Sequence, residues 1–399
     1  MKKSLIAAAT LGMFSGIAYA QGSVTLYGIV DEAFTYNSNA GGARLYNLTS
    51  GGIQSSRWGL RGTEDLGGGM TAIFRLENGF NLSNGALGLA NVGSTQGLEF
   101  GRQAYVGLGS RFGTVTIGRQ YDSVVDYLGP LNVGDQWGGY VSAHPGDLDN
   151  YNNTARANSS VKFKSANYQG FSFSTLYSVG GIAGNFTSNQ IWSVGGGYSG
   201  GPLTAGVAYL NARSPNLSLY GNNGASTPAT AAGNFFFSPV TSGFASAHTM
   251  QVIGAGVAYT FGRATVGGTY SNTKYLSLGN ASSGPDPRGY SGSATLNDVE
   301  ANFKFQLTPA LVLGAAMNYL KAGAVASAST PNDGAKYLQG SVGADYFLSK
   351  RTDLYFIGTY QKASGTKSTG GQAVAAINQV TPSSSDRQGL LRVGIRHTF

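Results

Sequence analysis

The charged residues between positions 57 and 164 fall in an order that could do work. Arg57, Arg61 and Arg75 come first, and Arg119 is the last base before a long gap. No lysine or arginine follows until Arg156, after which come Lys162 and Lys164. The gap holds Asp122, Asp126, Asp135, Asp147 and Asp149, so an acidic stretch of over thirty residues is bracketed by basic segments. A connection that long is usually functional or disordered. Folded against the basic segments, it would set carboxylates across a gap from guanidinium and ammonium groups. Opposed charge across a narrowed bore selects solutes without any bond-making step. With Asp31 and Glu77 beside the five aspartates, seven acids stand against seven bases, a balance that favours modest ion selectivity.

Residues for other chemistry are sparse. His144, His248 and His397 are the three histidines, none at metal-ligand spacing with another, and cysteine is absent. A zinc site, thiol chemistry or a Ser-His-Asp triad has no basis in that set. No cofactor, metal or catalytic residue is expected. Asp147-Leu-Asp149-Asn150 begins like a calcium loop but lacks the required glycine and terminal glutamate. Gly107-Leu-Gly109-Ser-Arg-Phe-Gly113 joins two strand-like segments, so it reads as a turn. Trp58, Trp137 and Trp192 read as interfacial or loop anchors. The net charge of +8 is dispersed, which argues against nucleic acid.

The elements that must position the charges alternate with period two. Val24, Leu26, Gly28 and Val30 interleave with Thr25, Tyr27, Ile29 and Asp31, which leaves Glu32 without a clear place on the apolar face. Ala72, Phe74 and Leu76 interleave with Thr71, Ile73, Arg75 and Glu77. Val161 and Phe163 interleave with Ser160, Lys162 and Lys164. In Arg102–Leu108 either face could point outward. The last strand carries Leu391, Val393, Ile395 and Phe399 on one face and Arg392, Arg396 and Thr398 on the other. Such alternation describes strands between two unlike environments. A chain ending flush with such a strand suits an outer-membrane barrel, whose closing strand anchors its terminal aromatic, here Phe399, at the interface.

The opposite end reads as a secretory leader over residues 1–20: Met1-Lys-Lys3, an apolar run from Leu5 to Ile17, then Ala18-Tyr19-Ala20. Loss of Lys2 and Lys3 with it takes the charge from +8 to +6. Residues 21–399 then form one domain. They contain no apolar run of helix-spanning length. Only 11% of residues are charged, against about 25% in soluble domains. Seven short turn-like connections alternate with eight longer Gly/Ser/Asn-rich segments, near 37–52, 81–97, 121–156, 180–190, 211–248, 275–295, 322–335 and 364–387. Fifteen connections join sixteen strands. A barrel inserted from the periplasm has short turns on one side and long loops on the other. Sixteen strands leave an aqueous channel, in which Arg75, Lys162 and Lys164 need no buried partner.

Several segments resemble the general porins of Gram-negative bacteria, especially those of beta-proteobacteria. They are Val24-Thr-Leu-Tyr-Gly-Ile-Val-Asp31, Ser55-Ser-Arg-Trp-Gly-Leu-Arg-Gly-Thr-Glu-Asp-Leu-Gly-Gly-Gly69, Arg102-Gln-Ala-Tyr-Val-Gly-Leu108, Phe112-Gly-Thr-Val-Thr-Ile-Gly-Arg119, Arg156-Ala-Asn-Ser-Ser160 and the terminal Arg-His-Thr-Phe399. The resemblance implies an all-β, sixteen-stranded antiparallel transmembrane barrel in the outer membrane, with the long third external loop folded into the lumen. It implies a homotrimer among outer-membrane lipid and lipopolysaccharide, and Phe399 as an address for the barrel insertion machinery. Basic wall positions would be Arg57, Arg61, Arg75, Arg119 and Arg156, facing acids of the Asp122–Asp149 stretch. A Pro-Glu-Phe-Gly loop motif of enteric relatives is absent. The tip reads Val133-Gly-Asp-Gln-Trp-Gly138, which nominates Asp135 as the apposed acid.

The function expected is passive diffusion of ions and small hydrophilic solutes. A substrate-preferring channel is the near alternative. A barrel enzyme would need a nucleophile–base pair on the wall, and only His397 lies on a clear strand. An adhesin would carry a large extra domain, for which no segment is long enough.

Overall fold

The computed structural model describes residues 22–88, 97–221 and 233–399. The leader expected over residues 1–20 lies outside them. The strands form one antiparallel sheet. In chain order they are β1 (Ser23–Ala40), β2 (Ala43–Ser50), β3 (Arg57–Gly67), β4 (Met70–Gly79), β5 (Gln103–Ser110), β6 (Gly113–Gln120), β7 (Ala157–Ser165), β8 (Phe171–Ser178), β9 (Ile191–Gly200), β10 (Leu203–Arg213), β11 (Thr249–Phe261), β12 (Ala264–Leu278), β13 (Tyr290–Thr308), β14 (Leu311–Ala322), β15 (Ala326–Ser327), β16 (Ala335–Phe347), β17 (Thr352–Gly365) and β18 (Arg387–Thr398). The sheet closes because β1 pairs with β18, from Ile29 opposite Thr398 to Asn37 opposite Leu390. The two-residue β15 pairs only with the start of β13. β2 and β3 pair with successive halves of β1 and together make one interrupted strand. The barrel therefore has sixteen strands.

Asp31 accounts for the interruption between β2 and β3. Its carboxylate accepts from the backbone N–H groups of Gly52 (2.9 Å), Ile53 (2.9 Å) and Gln54 (2.8 Å). Those donors are turned away from the ladder and satisfied by a charge-assisted bond instead. Asp31 thus shapes the barrel wall.

The segment 37–52 is not the external loop its composition suggests. β1 continues to Ala40, Gly41 and Gly42 turn with φ of 66° and 117°, and β2 returns from Ala43. Only glycine adopts such angles in succession without strain. Cross-strand contacts outweigh the polar composition. Tyr36 and Tyr46 rings lie 5.0 Å apart, and Thr35 and Thr49 hydroxyls 2.6 Å. The other long connections hold, each eleven residues or more, and alternate with connections of two to five residues.

The expected alternation of faces is present. On β18, Leu391, Val393 and Ile395 are about half exposed while Arg392 is 2% exposed. On β5, Val106 and Leu108 are the exposed pair, which settles that strand's orientation. Glu32 accepts from Ser83 Oγ at 2.6 Å, so its place on the apolar face is explained by connection 80–102. The inner face is not polar throughout. Toward the long connections, Leu210, Val252, Tyr275, Leu296 and Tyr337 are buried against Leu219, Tyr220, Phe236 and Phe244 of connection 214–248.

Candidate functional site

The basic wall is built on β1, β3 and β4. Arg61 and Arg75 are cross-strand neighbours, and both guanidinium groups lie over the Tyr27 ring, at 5.4 and 5.2 Å. Like charges placed opposite repel. Here the ring face between them and a nearby carboxylate offset that repulsion. The carboxylate is Glu77, 3% exposed, which accepts from Tyr27 OH (2.8 Å) and Arg102 Nε (2.8 Å). Arg102 Nη2 also donates to Tyr121 OH at 2.9 Å. Arg57, Arg75, Glu77, Arg102 and Asp135 line one polar cavity of about 380 Å³, with Tyr27, Tyr121 and Tyr140 among its walls. Arg102 was not among the wall residues expected from sequence. It opens the segment whose two faces could not be told apart, so its direction was not readable.

The remaining bases are placed differently. Arg119 is buried beside a bulge between Gly118 and Gln120, and donates to Gly101 O (2.8 Å) and to Asn158 Oδ1. Arg156 is fully buried. Its Nη1 donates to Thr154 O at 3.1 Å, and the guanidinium lies 5.7 Å from the Tyr121 ring. Burial first, and the Arg102 guanidinium second, push Arg156 below its ordinary value. Lys162 Nζ lies 2.6 Å from Asp126 Oδ2 and donates to Tyr121 O at 2.7 Å. Lys164 is exposed near the short turn after β7 and does not line the cavity.

Of the five acids, Asp135 is the one on that cavity. Burial raises its carboxyl above the usual range, and Arg57 and Arg102 pull it back. Asp126 pairs with Lys162. The other three hold the connection together. Asp122 caps the short helix α1 (Ser123–Tyr127) by accepting from Val124 N at 2.7 Å, and takes Asn150 Nδ2 at 2.8 Å. That second bond ties the start of the connection to its end. Asp147 accepts from Asn152 N and Thr154 N, both at 3.0 Å. Asp149 accepts from Ser271 Oγ (2.5 Å) and lies 2.6 Å from His144 Nδ1.

His144 had no role in the sequence reading. It is completely buried, with Nε2 3.2 Å from Thr269 Oγ1, 3.4 Å from Asp298 Oδ1 and 3.5 Å from Glu300 Oε2. Connection 121–156 also reaches strands far along the sheet. Glu300 on β13 accepts from Asn132 Nδ2 and Val133 N, both at 2.9 Å. Gln339 on β16 donates to Ser142 O and Ala143 O. The Trp137 ring lies over Gly314 and Gly343, where any Cβ would overlap it. At the chain end, Phe399 exchanges both backbone hydrogen bonds with Gly28 (3.1 and 3.0 Å), and its ring covers the bare Gly28 Cα.

A family model described as Gram-negative porin matches residues 6–366. An outer membrane porin protein of Bordetella pertussis is 31% identical over 389 residues, covering 91% of this chain and 94% of the relative. The chain belongs to the Gram-negative porin family. It is an outer-membrane porin, located in the bacterial outer membrane, as its named relatives are. The porin fold is shared with an anion-selective porin from Comamonas acidovorans, at TM-score 0.67 and 22% identity over 95% of this chain and all of that one. It is shared too with an outer membrane protein of Vibrio cholerae in a trimer form, at TM-score 0.63 and 15% identity over 95% and 99% of the two chains. Family and fold together indicate a channel rather than an enzyme.

Proposed function

We propose that this porin is a general diffusion channel for ions and small hydrophilic solutes, with connection 121–156 folded into its lumen. One observation carries the reading. Asp135 from that connection shares a polar cavity with Arg57, Arg75 and Arg102, while neighbouring residues of the same connection bond to β13 and β16. A segment touching both sides of a barrel crosses its bore. The narrow zone then sets the arginine wall against Asp135, and Arg119, Arg156, Asp122, Asp147 and Asp149 build the frame around it. Three bases and two acids on the cavity favour a slight anion preference, reduced by screening in salt.

The channel assembles as a homotrimer in this reading, as the Vibrio cholerae trimer form suggests. Residues 1–20 are a leader removed on export, and Phe399 guides the barrel insertion machinery. Reconstitution in a planar bilayer tests the core of it. Ohmic steps in groups of three are expected, and deletion of residues 132–138 should widen the steps. Unchanged conductance after that deletion would place the narrow zone elsewhere.

A further inference from the structure

Connection 121–156 lays its largest side chains on glycines of the barrel wall, and those glycines are in register. Gly314 on β14 pairs directly with Gly343 on β16, so two bare positions adjoin. The Trp137 ring takes the space above both. A Cβ on Gly314 would overlap Trp137 Cε2, and one on Gly343 would stand 2.6 Å from Cε3. A second strip runs across β9, β10 and β11, where Gly206 pairs with Gly197 on one side and Gly256 on the other. A Cβ on Gly197 would stand 2.7 Å from Tyr127 Cδ1, and one on Gly256 would stand 2.9 Å from Leu131 Cδ1. None of these five glycines has a positive φ, so the backbone would accept other residues there and only the space excludes them. Glycine weakens a strand interior and often marks the close approach of another segment.

Shape, not hydrogen bonding, holds the two aromatic groups in place. Trp137 is 5% exposed, and neither Trp137 Nε1 nor Tyr127 OH has a hydrogen-bond partner among the described residues. The wall under Trp137 is fixed by two unbroken ladders, from β16 to β14 and from β16 to β17. The segment above it has more freedom, since Gly134, Gly138 and Gly139 lie within three residues of Trp137. Asp135, two residues before Trp137, is on the arginine cavity, whereas Trp137, Gly314 and Gly343 do not line it. The depth at which the indole seats therefore governs how far the tip of the connection projects from the wall.

We infer that the pair Gly314–Gly343 sets the size limit of the channel, by fixing how deeply Trp137 seats and so how much bore the tip leaves open. The inference rests on the channel reading and adds to it a size determinant that is apolar and separate from the charged cavity. Solute size and solute charge are then read by different residues. A side chain added under the indole overpacks the socket, and overpacking displaces the less constrained partner. Here that partner is the tip, which moves off the wall into the bore.

The test uses the folded porin in planar bilayers and in liposomes, with swelling rates measured for a monosaccharide and a trisaccharide. Gly343→Leu should lower single-channel conductance and cut trisaccharide swelling relative to monosaccharide swelling by roughly threefold. Trp137→Ala should shift both readings in the opposite direction. Trp137→Ala with Gly343→Leu should return both toward the parent, because the leucine then fills the space the indole left. General destabilisation would add the two losses and could not restore the parent values. Should Gly343→Leu fail to yield folded barrel, Gly343→Ala places a methyl carbon 2.6 Å from the ring and carries the same prediction at smaller amplitude. Unchanged conductance and swelling ratio in the single variants would overturn the inference, as would an equal Gly343→Leu effect with and without the indole. A parent that forms no channel would overturn the channel reading and this inference together, whereas a conducting parent with unchanged variants overturns this inference alone.

Discussion

Val133 donates its backbone N–H to Glu300 Oε1 at 2.9 Å, joining residues 167 positions apart. Asn132 Nδ2 donates to the second oxygen at 2.9 Å, and Asn302 Nδ2 to the first at 2.7 Å. Three donors converge on one buried carboxylate, which only an acceptor at both oxygens can satisfy. Glu300→Gln would turn an amide donor toward them. A stability loss of about 1–3 kcal/mol is expected, with more frequent substates in single-channel recordings. A variant as quiet and as heat-stable as the parent would show that other contacts hold the tip.

Selectivity should respond to the cavity arginines and not to the framework ones. Arg57→Gln with Arg75→Gln should move the reversal potential in a KCl gradient toward cation preference. The shift should be a small factor, since unit charges 4 Å apart in water interact by about 1 kcal/mol. It should shrink in high salt. Arg119→Gln should instead lower thermal stability, because it removes the buried donors to Gly101 O and Asn158. An equal reversal shift from Arg119→Gln would contradict this assignment.

Connection 121–156 should be firmer in mild acid than in base. Asp147 is pushed up to about 6, by burial first and the Asp149 carboxylate second. Burial works against charge on His144, yet Asp149 and Asp298 outweigh it and hold the ring well above its ordinary value. Both folded values exceed the unfolded ones, about 3.9 and 6.5, so the folded connection binds both protons more tightly. The Asp147 contribution is complete below about pH 4 and is lost as pH rises through about 6. The His144 contribution is complete below about pH 6.5 and is lost above that, as pH passes its raised folded value. Amide exchange in 142–154, corrected for intrinsic rates, should show greater protection at pH 5 than at pH 9. His144→Gln should flatten the alkaline part. Equal protection at both pH values in the parent would disprove the ionic anchor.

Barrel closure should depend on both partners at the seam. Deleting Phe399 removes two backbone hydrogen bonds and the ring over Gly28. Gly28→Val would force that ring aside and also crowd the Arg57 carbonyl. Both variants should be exported yet yield less of the folded, heat-modifiable form in membranes. Normal yield from the chain ending at Thr398 would remove Phe399 from the closing role.

The sequence by itself determined the barrel, because its evidence is local. Alternation along Leu391–Phe399 assigns faces strand by strand, and turn residues count the strands without knowledge of their neighbours. It also marked the acidic connection, since a charge order survives any folding of the segment. The path of that connection was decided by tertiary contacts. Asp122, Asp147 and Asp149 have the same composition as Asp135, but caps and tight turns consume them, and only the backbone trajectory leaves Asp135 beside Arg57 and Arg102. His144 gained its role from Thr269 and Asp298, over a hundred residues away. The hairpin at Gly41–Gly42 hid behind loop-like residues because its stability lies in cross-strand pairs, which no single segment displays.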